Sequence, residues 1–189
     1  MEPVQESVWT PVERTLHAER RHDDPFVDVD LRVRMEHESG RSETVPGFWD
    51  GGNCWRFRFA PPLSGRWSYE TSTDVEDAGL STVGSFVAHP YDGPNPIRRH
   101  GFLHATESHL SHDDDTPFFW LADTAWSAGA KATEDEWRRY LTAREAQGFT
   151  AVQLNPLPQH DASRPYDRLP FGPEWNLDVP NPAYFQALY

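Results

Sequence analysis

The sequence predicts an all-β amino-terminal domain, an antiparallel Ig-like β-sandwich, followed by an α/β segment. Two observations predict the β domain. Apolar and polar residues alternate strictly from Phe26 to Glu36, and further short apolar runs separated by turn residues continue to His89. A third observation predicts the α/β segment, because Thr116 to Pro158 reads as a strand, a capped helix and a second strand.

The strands of the predicted β domain are separated by turn chemistry. Turns are indicated at Glu38–Arg41, at Asp50–Asn53, where residues that tolerate positive φ cluster, and at Pro61–Gly65. The predicted strands are Val8–Ala18, Phe26–Glu36, Glu43–Trp49, Cys54–Phe59, Arg66–Glu70 and Gly84–His89. Close strand spacing without a helical window is typical of an antiparallel sandwich.

Aromatic residues recur at alternate positions of two of these strands, and two interpretations are open. They are Trp55, Phe57, Phe59, Trp67 and Tyr69. Flat apolar rings could stack on the C–H faces of sugars, or they could fill the space between two sheets. Their alternation with polar residues favours the core.

A linker by composition divides the chain. Pro90 to Pro96 contains three prolines and a glycine in seven residues. We therefore predict a β-sandwich accessory domain over residues 1–92, a linker over 93–99 and a second domain over 100–189.

The second domain begins with two apolar runs that read as buried parallel strands. Pro117–Ala122 and Phe149–Leu154 are nearly continuous in apolar residues, as expected for strands covered on both faces. Between them, Thr133 with Glu136 forms a capping box, and Gly148 ends the predicted helix. A long proline-containing loop follows, and then a helix that starts at Pro182.

Composition and motifs exclude several function classes. With 30 acidic and 17 basic residues the formal net charge is −13, so a nucleic-acid partner is not expected. No membrane partner is expected either, because no run of about 18 apolar residues occurs. The amino terminus lacks the pattern of a signal peptide, which predicts a cytoplasmic location. Cys54 is the only cysteine, so no intrachain disulfide can form.

We expect no cofactor and no metal. The sequence contains neither a Gly-x-Ser-x-Gly elbow nor a phosphate-binding glycine loop. Four histidines lie close together in sequence, but their spacing matches no zinc pattern. They are His100, His104, His109 and His112.

Two groups of motifs resemble known families. Gly47–Gly51, Trp55–Pro61 and Gly65–Tyr69 resemble the β-sandwich domain of unknown function that precedes bacterial and archaeal glycoside hydrolases. Pro117–Trp126 with Gln147–Gln153 resembles the start of the apiosidase-like glycoside hydrolase barrel, with Ala122 in place of that family's usual glycine. The resemblance implies that the second domain holds the first βα units of a TIM barrel.

The barrel implied by this resemblance is incomplete. A (β/α)₈ barrel takes about 250 residues, and only about 90 follow the linker. We therefore expect the chain to be part of a longer one and inactive alone, with the family's catalytic carboxylates beyond Tyr189. The alternative is that the carboxyl-terminal part packs on the β-sandwich or on another copy of the chain, the latter being self-association through the incomplete barrel.

Candidate sugar-binding residues follow from barrel geometry, in which sites form at the carboxyl ends of strands. Asp123, Trp126 and Asn155 end the two predicted strands, and Glu174 and Trp175 lie together on the long loop. Each has a second interpretation. Asp123 could hold the strand-to-helix loop together, and Trp126 could cover the barrel end. Asn155 could be simple Asn-Pro turn chemistry, and the residues of the long loop could be only solvated. No residue is assigned as catalytic.

The partner implied by these residues is carbohydrate. One hypothesis is the amino-terminal portion of a glycoside hydrolase acting on plant or microbial polysaccharide or oligosaccharide. The alternative is a non-catalytic carbohydrate-binding or interaction module.

Overall fold

The computed structural model describes residues 4–157, 170–172 and 176–187. The chain separates into two compact units. The amino-terminal unit comprises the residues up to His104 together with Ser111–Thr116, and the carboxyl-terminal unit comprises Ala105–Leu110 and the residues from Pro117 onward.

Seven strands and two short helices make up most of the amino-terminal unit. In chain order they are β1 (Val4–Ser7), β2 (Val12–His17), α1 (Pro25–Asp28), β3 (Leu31–His37), β4 (Ser42–Trp49), β5 (Cys54–Phe59), β6 (Gly65–Thr73), β7 (Val83–His89) and α2 (Pro96–His100). A 3₁₀ turn, Ala78–Leu80, lies between β6 and β7.

The seven strands form one mixed sheet, so the predicted antiparallel Ig-like sandwich is wrong. The strand order is β1-β7-β6-β3-β4-β5-β2, and β1 runs parallel to β7. The first half of β4 pairs with β3 and its last three residues pair with β5. This one long strand therefore joins β3 and β5 into a single sheet. Alternation reports which face a residue occupies, and it does not report the strand with which it pairs.

A glycine stands where the pairing of β4 passes from β3 to β5, and it allows close packing. A Cβ atom at Gly47 would lie 2.2 Å from the Leu31 Cδ2 atom, so a larger residue would displace a core side chain. Leu31 is only 1% exposed. Gly47 thus lets β4 approach β3 and continue to β5.

The alternating aromatic residues fill the core of this unit. Trp55, Phe57, Phe59 and Trp67 are each at most 5% exposed, and they pack with the apolar face of β3. Phe59 and Trp67 contact edge to face with their ring centroids 4.9 Å apart. The core interpretation of these rings is therefore confirmed.

Two predicted strands are shorter than their sequence patterns. The predicted strand Val8–Ala18 begins with a turn in which Trp9 has φ of 55°, so β2 starts only at Val12. The first residues of the alternating run Phe26–Glu36 lie in α1, and β3 starts at Leu31. Pro25 stands in the first turn of α1, where its fixed φ suits a helix start.

Most of the described elements after α2 are short, and β8 and β9 each contain residues of both units. In chain order the elements after α2 are β8 (Leu103–Ala105), β9 (Leu110–His112), β10 (Pro117–Phe118), β11 (Ala122–Thr124), α3 (Ala128–Lys131), α4 (Glu134–Ala146), β12 (Ala151–Gln153), β13 (Phe171–Gly172), β14 (Asn176–Pro180) and α5 (Pro182–Gln186).

The predicted βα units of a TIM barrel are also wrong as a description of the carboxyl-terminal unit. β11 and β12 are parallel but form a sheet of two strands, three residues each. β13 and β14 form a separate antiparallel pair, which has no place in an all-parallel barrel. The described strands therefore do not form the start of a barrel sheet.

The apolar run that predicts a continuous buried strand is interrupted. β10 ends at Phe118 and β11 begins at Ala122, and between them Phe119 is 74% exposed and Trp120 58% exposed. Apolar continuity alone cannot distinguish a buried strand from an exposed connection. In the described part of the chain, no helix is long and apolar enough to cross a membrane.

Candidate functional site

The carboxyl edge of the β11–β12 pair brings together residues that are distant in sequence. Register pairs Asp123 with Val152 and Thr124 with Gln153. The two backbones stay in step past the strands, because Ala125 N–H donates to the Gln153 carbonyl at 2.9 Å and Asn155 N–H to the Trp126 carbonyl at 3.1 Å. Trp126 and Asn155 are therefore neighbours at this edge, as the sequence predicts.

Asp123 points toward helix α4 and is engaged by its side chains. Its Oδ2 atom accepts a hydrogen bond from the Tyr140 hydroxyl at 2.8 Å and one from the Arg144 guanidinium. Its Oδ1 atom accepts from the Thr124 N–H at 2.8 Å. Tyr140 and Arg144 stand four residues apart on α4, so they present both donors on one side of the helix.

These contacts set the electrostatic state of Asp123. The hydrogen bond from Tyr140, followed by that from Arg144, lowers the pKa of Asp123 below its usual range. Asp123 is therefore an ion-paired acceptor at neutral pH. This geometry agrees with the interpretation of Asp123 as the carboxylate that holds strand and helix together, and sugar binding by Asp123 stays a prediction.

The opposite face of the strand pair carries two polar residues that the sequence reasoning missed. Because side chains alternate along a strand, Thr124 and Gln153 lie on the face away from Asp123. Both are exposed. The hydroxyl and the amide each supply a donor and an acceptor, the pairing that sugar hydroxyl groups require. Alternation counted from Asp123 could have found them, once Asp123 was known to face the helix.

Trp126 and Asn155 complete the edge. Trp126 is 43% exposed, so its indole ring is available for stacking. The Asn155 Oδ1 atom accepts from Leu157 N–H at 3.2 Å, which is a local turn contact. The arrangement combines one exposed ring with hydroxyl and amide groups. We define Thr124, Trp126, Gln153 and Asn155 as the polar edge. The predicted residues Glu174 and Trp175 lie outside the described residues.

The polar edge contains no pair of carboxylates among the described residues. Glycoside hydrolysis needs two carboxyl groups flanking the bond, about 5 Å or more apart. Asp123 is the acidic residue at this end of β11, and Arg144 neutralises it. The described residues of this edge offer hydroxyl, amide and ring groups, and by themselves they do not supply both an acid and a nucleophile or base.

The histidine cluster is held by hydrogen bonds. His100 Nδ1 lies 2.8 Å from Asp114 Oδ2, and buried His112 places its Nδ1 2.9 Å from the Gly101 carbonyl. Within the described ranges, no group of three or more His, Cys, Asp or Glu residues is placed to hold a metal ion.

Comparisons with known proteins place two similarities along the chain. Residues 5–74 match the domain of unknown function DUF5060, and residues 104–188 match the Apiosidase-like catalytic domain. The search of curated proteins found no match.

A solved structure extends these similarities to three dimensions. The chain matches the crystal structure of a proposed glycoside hydrolase from Bacteroides vulgatus ATCC 8482 with a TM-score of 0.82 and 25% sequence identity. The match covers 98% of this chain and 38% of that protein, so the chain spans less than half of its length. The predicted resemblance is confirmed: the chain is similar to a DUF5060 domain followed by an Apiosidase-like catalytic domain, and to a glycoside hydrolase structure.

Proposed function

We propose that this chain is the amino-terminal portion of a glycoside hydrolase that acts on plant or microbial polysaccharide or oligosaccharide. The observation that carries the proposal is the polar edge. Exposed Thr124 and Gln153 stand beside the half-exposed ring of Trp126, inside the segment that matches an Apiosidase-like catalytic domain. The polar edge supplies a sugar-binding wall, and we expect the 189-residue chain alone not to hydrolyse glycosides.

A non-catalytic carbohydrate-binding module is the second candidate. It is favoured by the contacts of Asp123, whose carboxylate is occupied by Tyr140 and Arg144. Both candidates require glycan binding at the polar edge. They differ in turnover, which an activity screen on aryl glycosides and plant polysaccharides measures in the longest form of the protein that can be expressed.

Binding is tested by screening oligosaccharides against three variants of the full chain. Trp126→Ala removes the stacking ring and is expected to weaken glycan binding about tenfold or more, since stacking on an aromatic face contributes a large share of such contacts. Gln153→Ala is expected to weaken binding by a smaller factor. Trp120→Ala is the matched control, because Trp120 is also exposed, at 58%, but precedes the amino end of β11.

Two results would contradict the assignment. Unchanged glycan binding by Trp126→Ala and Gln153→Ala would remove the polar edge from the site. Equal loss in Trp120→Ala would show that general exposure of aromatic surface, rather than the polar edge, causes binding. Turnover by the chain alone that Asp123→Asn abolishes would overturn the expectation that it is inactive.

A further inference from the structure

The polar edge lies on a sheet that is too small to hold its own geometry. β11 and β12 contain three residues each and pair only with one another among the described strands. An isolated pair of short strands is marginally stable in water and needs a packed helix to support it. A contact outside the strand pairing must therefore fix the end of β11, where Thr124 lies and which Trp126 follows.

Helix α4 supplies this support through two side chains that meet at one carboxylate. The Tyr140 hydroxyl donates to Asp123 Oδ2 at 2.8 Å, and the Arg144 guanidinium donates to the same oxygen. Asp123 Oδ1 accepts from the Thr124 N–H at 2.8 Å. One carboxylate thus joins α4 to the backbone of Thr124, which is a residue of the polar edge.

The two donors are themselves held in place along α4. The Arg144 guanidinium lies over the Tyr140 ring, 4.9 Å from its centroid, and over the Phe149 ring at 5.4 Å. The Tyr140 ring stacks in turn on Trp137, with the ring centroids 5.4 Å apart and an angle of 15° between the planes. Arg144 also donates to the Gln147 side chain at 2.8 Å. Side chains locked by packing and further hydrogen bonds can hold a site in a defined geometry.

The groups in contact with Asp123 favour its ionised form. The hydrogen bond from Tyr140, followed by those from Arg144 and from the Thr124 N–H, lowers the pKa of Asp123. Partial burial, followed by the hydrogen bond to Asp123, raises the pKa of Tyr140, so its hydroxyl stays protonated and can donate. The register neighbour of Asp123 on β12 is Val152, which carries no charge. The contact between α4 and β11 is therefore intact at neutral pH and weakens when acid protonates Asp123.

We propose that Tyr140 and Arg144 are positioning residues that act through Asp123 to hold the polar edge in its glycan-binding geometry, an inference that rests on the proposed function. Asp123 lies on the face of β11 opposite to Thr124, so this contact supports the edge from behind. Loss of either donor lets the end of β11 move relative to α4. The ring and the polar side chains of the edge then lose their common orientation.

Nuclear magnetic resonance of the ligand-free full chain tests the positioning without any sugar. The signals to follow are the Trp126 indole N–H and the Gln153 side-chain amide, which belong to the polar edge. In the unmodified chain we expect both signals to keep their positions between pH 7 and about pH 4, because Asp123 stays ionised there. The Trp67 indole N–H, which is buried in the amino-terminal unit, reports whether the chain is folded at each pH.

Two variants remove one donor each, and a third is the matched control. Tyr140→Phe keeps the ring that stacks on Trp137 and removes the hydroxyl, and Arg144→Gln removes the guanidinium. In both variants the two signals should change at higher pH than in the unmodified chain. Arg138→Gln breaks a different ion pair of the same helix, that with Glu134 at 2.6 Å, and its signals should follow those of the unmodified chain.

Glycan binding gives the second readout. For an oligosaccharide that binds the unmodified chain at pH 7, Tyr140→Phe should weaken the affinity about threefold and Arg144→Gln about tenfold, whereas Arg138→Gln should leave it unchanged. The pH at which the affinity falls should also be higher in the first two variants. A loss of overall stability alone would not move this pH while the Trp67 signal shows a folded chain.

Two results would overturn the inference. One is a pH dependence of the Trp126 and Gln153 signals that is the same in Tyr140→Phe, in Arg144→Gln and in the unmodified chain. The other is unchanged affinity in both variants for a glycan that the unmodified chain binds. If the unmodified chain binds no oligosaccharide, the proposed function fails, and the ligand-free signals still decide whether Tyr140 and Arg144 position this edge.

Discussion

Replacing Asp77 by alanine should destabilise the amino-terminal unit more than any comparable change of an acidic residue nearby. Asp77 is 2% exposed, and its two carboxylate oxygens accept from three backbone N–H groups. Its Oδ2 atom also lies 2.9 Å from His22 Nε2. The side chain thereby ties the segment after β2 to the 3₁₀ turn Ala78–Leu80.

The magnitude follows from the pKa of Asp77. Burial alone would raise this pKa, but the hydrogen bonds from the Glu19 N–H, from His22 and from the N–H groups of Arg20 and Gly79 outweigh burial and lower it from 3.8 to about 2. A difference of this size stabilises the folded state by about 2 kcal/mol at neutral pH. In Asp77→Ala these donors also lose their acceptor, which raises the expected loss to about 3 kcal/mol.

Urea unfolding followed by tryptophan fluorescence measures this loss. The control is Glu76→Ala, the adjacent carboxylate, whose side chain is 90% exposed and which should change the free energy of unfolding by less than about 0.5 kcal/mol. Both variants should keep the dependence on urea concentration of the unmodified protein. A loss of unfolding free energy below about 1 kcal/mol in Asp77→Ala would refute the role of Asp77 in linking the segment after β2 to the 3₁₀ turn.

The pH dependence of the unfolding free energy gives a second test of the hydrogen bonds made by Asp77. Because the folded pKa of Asp77 lies below the unfolded value, its contribution is fully present well above pH 3.8 and is lost as the pH falls toward about 2. The difference in unfolding free energy between the unmodified protein and Asp77→Asn should therefore narrow by about 1 kcal/mol between pH 6 and pH 3. A constant difference over this interval would contradict the linkage.

Two further predictions concern glycines and a helix cap. Gly79→Ala should lower the free energy of unfolding by at least about 2 kcal/mol, because the added Cβ would lie 2.0 Å from the His17 carbonyl oxygen. Gly148→Ala should lower it by about 1 kcal/mol, because Gly148 has φ of 83° but open space around it. Equal losses in urea unfolding would contradict this ranking. Thr133→Ala removes the capping box with Glu136. It should lower the free energy of local opening in the first turn of α4 by about 1 kcal/mol and so speed amide hydrogen exchange there. Unchanged exchange would refute the role of the cap.

The sequence was sufficient to predict features that depend on residues close together along the chain. Alternation identified the buried face of β3, where Leu31, Val33 and Met35 are at most 1% exposed. The capping box identified the start of α4, and both groups of motifs identified the families that the chain resembles. Local sequence predicts these features because each depends on a few consecutive side chains and their own backbone.

Features that depend on distant partners required the tertiary structure. Period-two alternation is the same in a sandwich and in a continuous mixed sheet, so it could not show that β4 pairs with both β3 and β5. Likewise, the apolar run Phe118–Leu121 satisfied the pattern of a buried strand although Phe119 and Trp120 are exposed. Burial is decided by what packs on a segment, which its own residues do not specify.

The candidate sites divide in the same way. The sequence alone placed Asp123, Trp126 and Asn155 at strand ends. They lie close together because β11 and β12 pair in parallel. Only the tertiary structure decided that Asp123 faces Tyr140 and Arg144, which leaves the other face to Thr124 and Gln153. The physical reason is that the direction of a side chain depends on a helix packed from elsewhere in the chain.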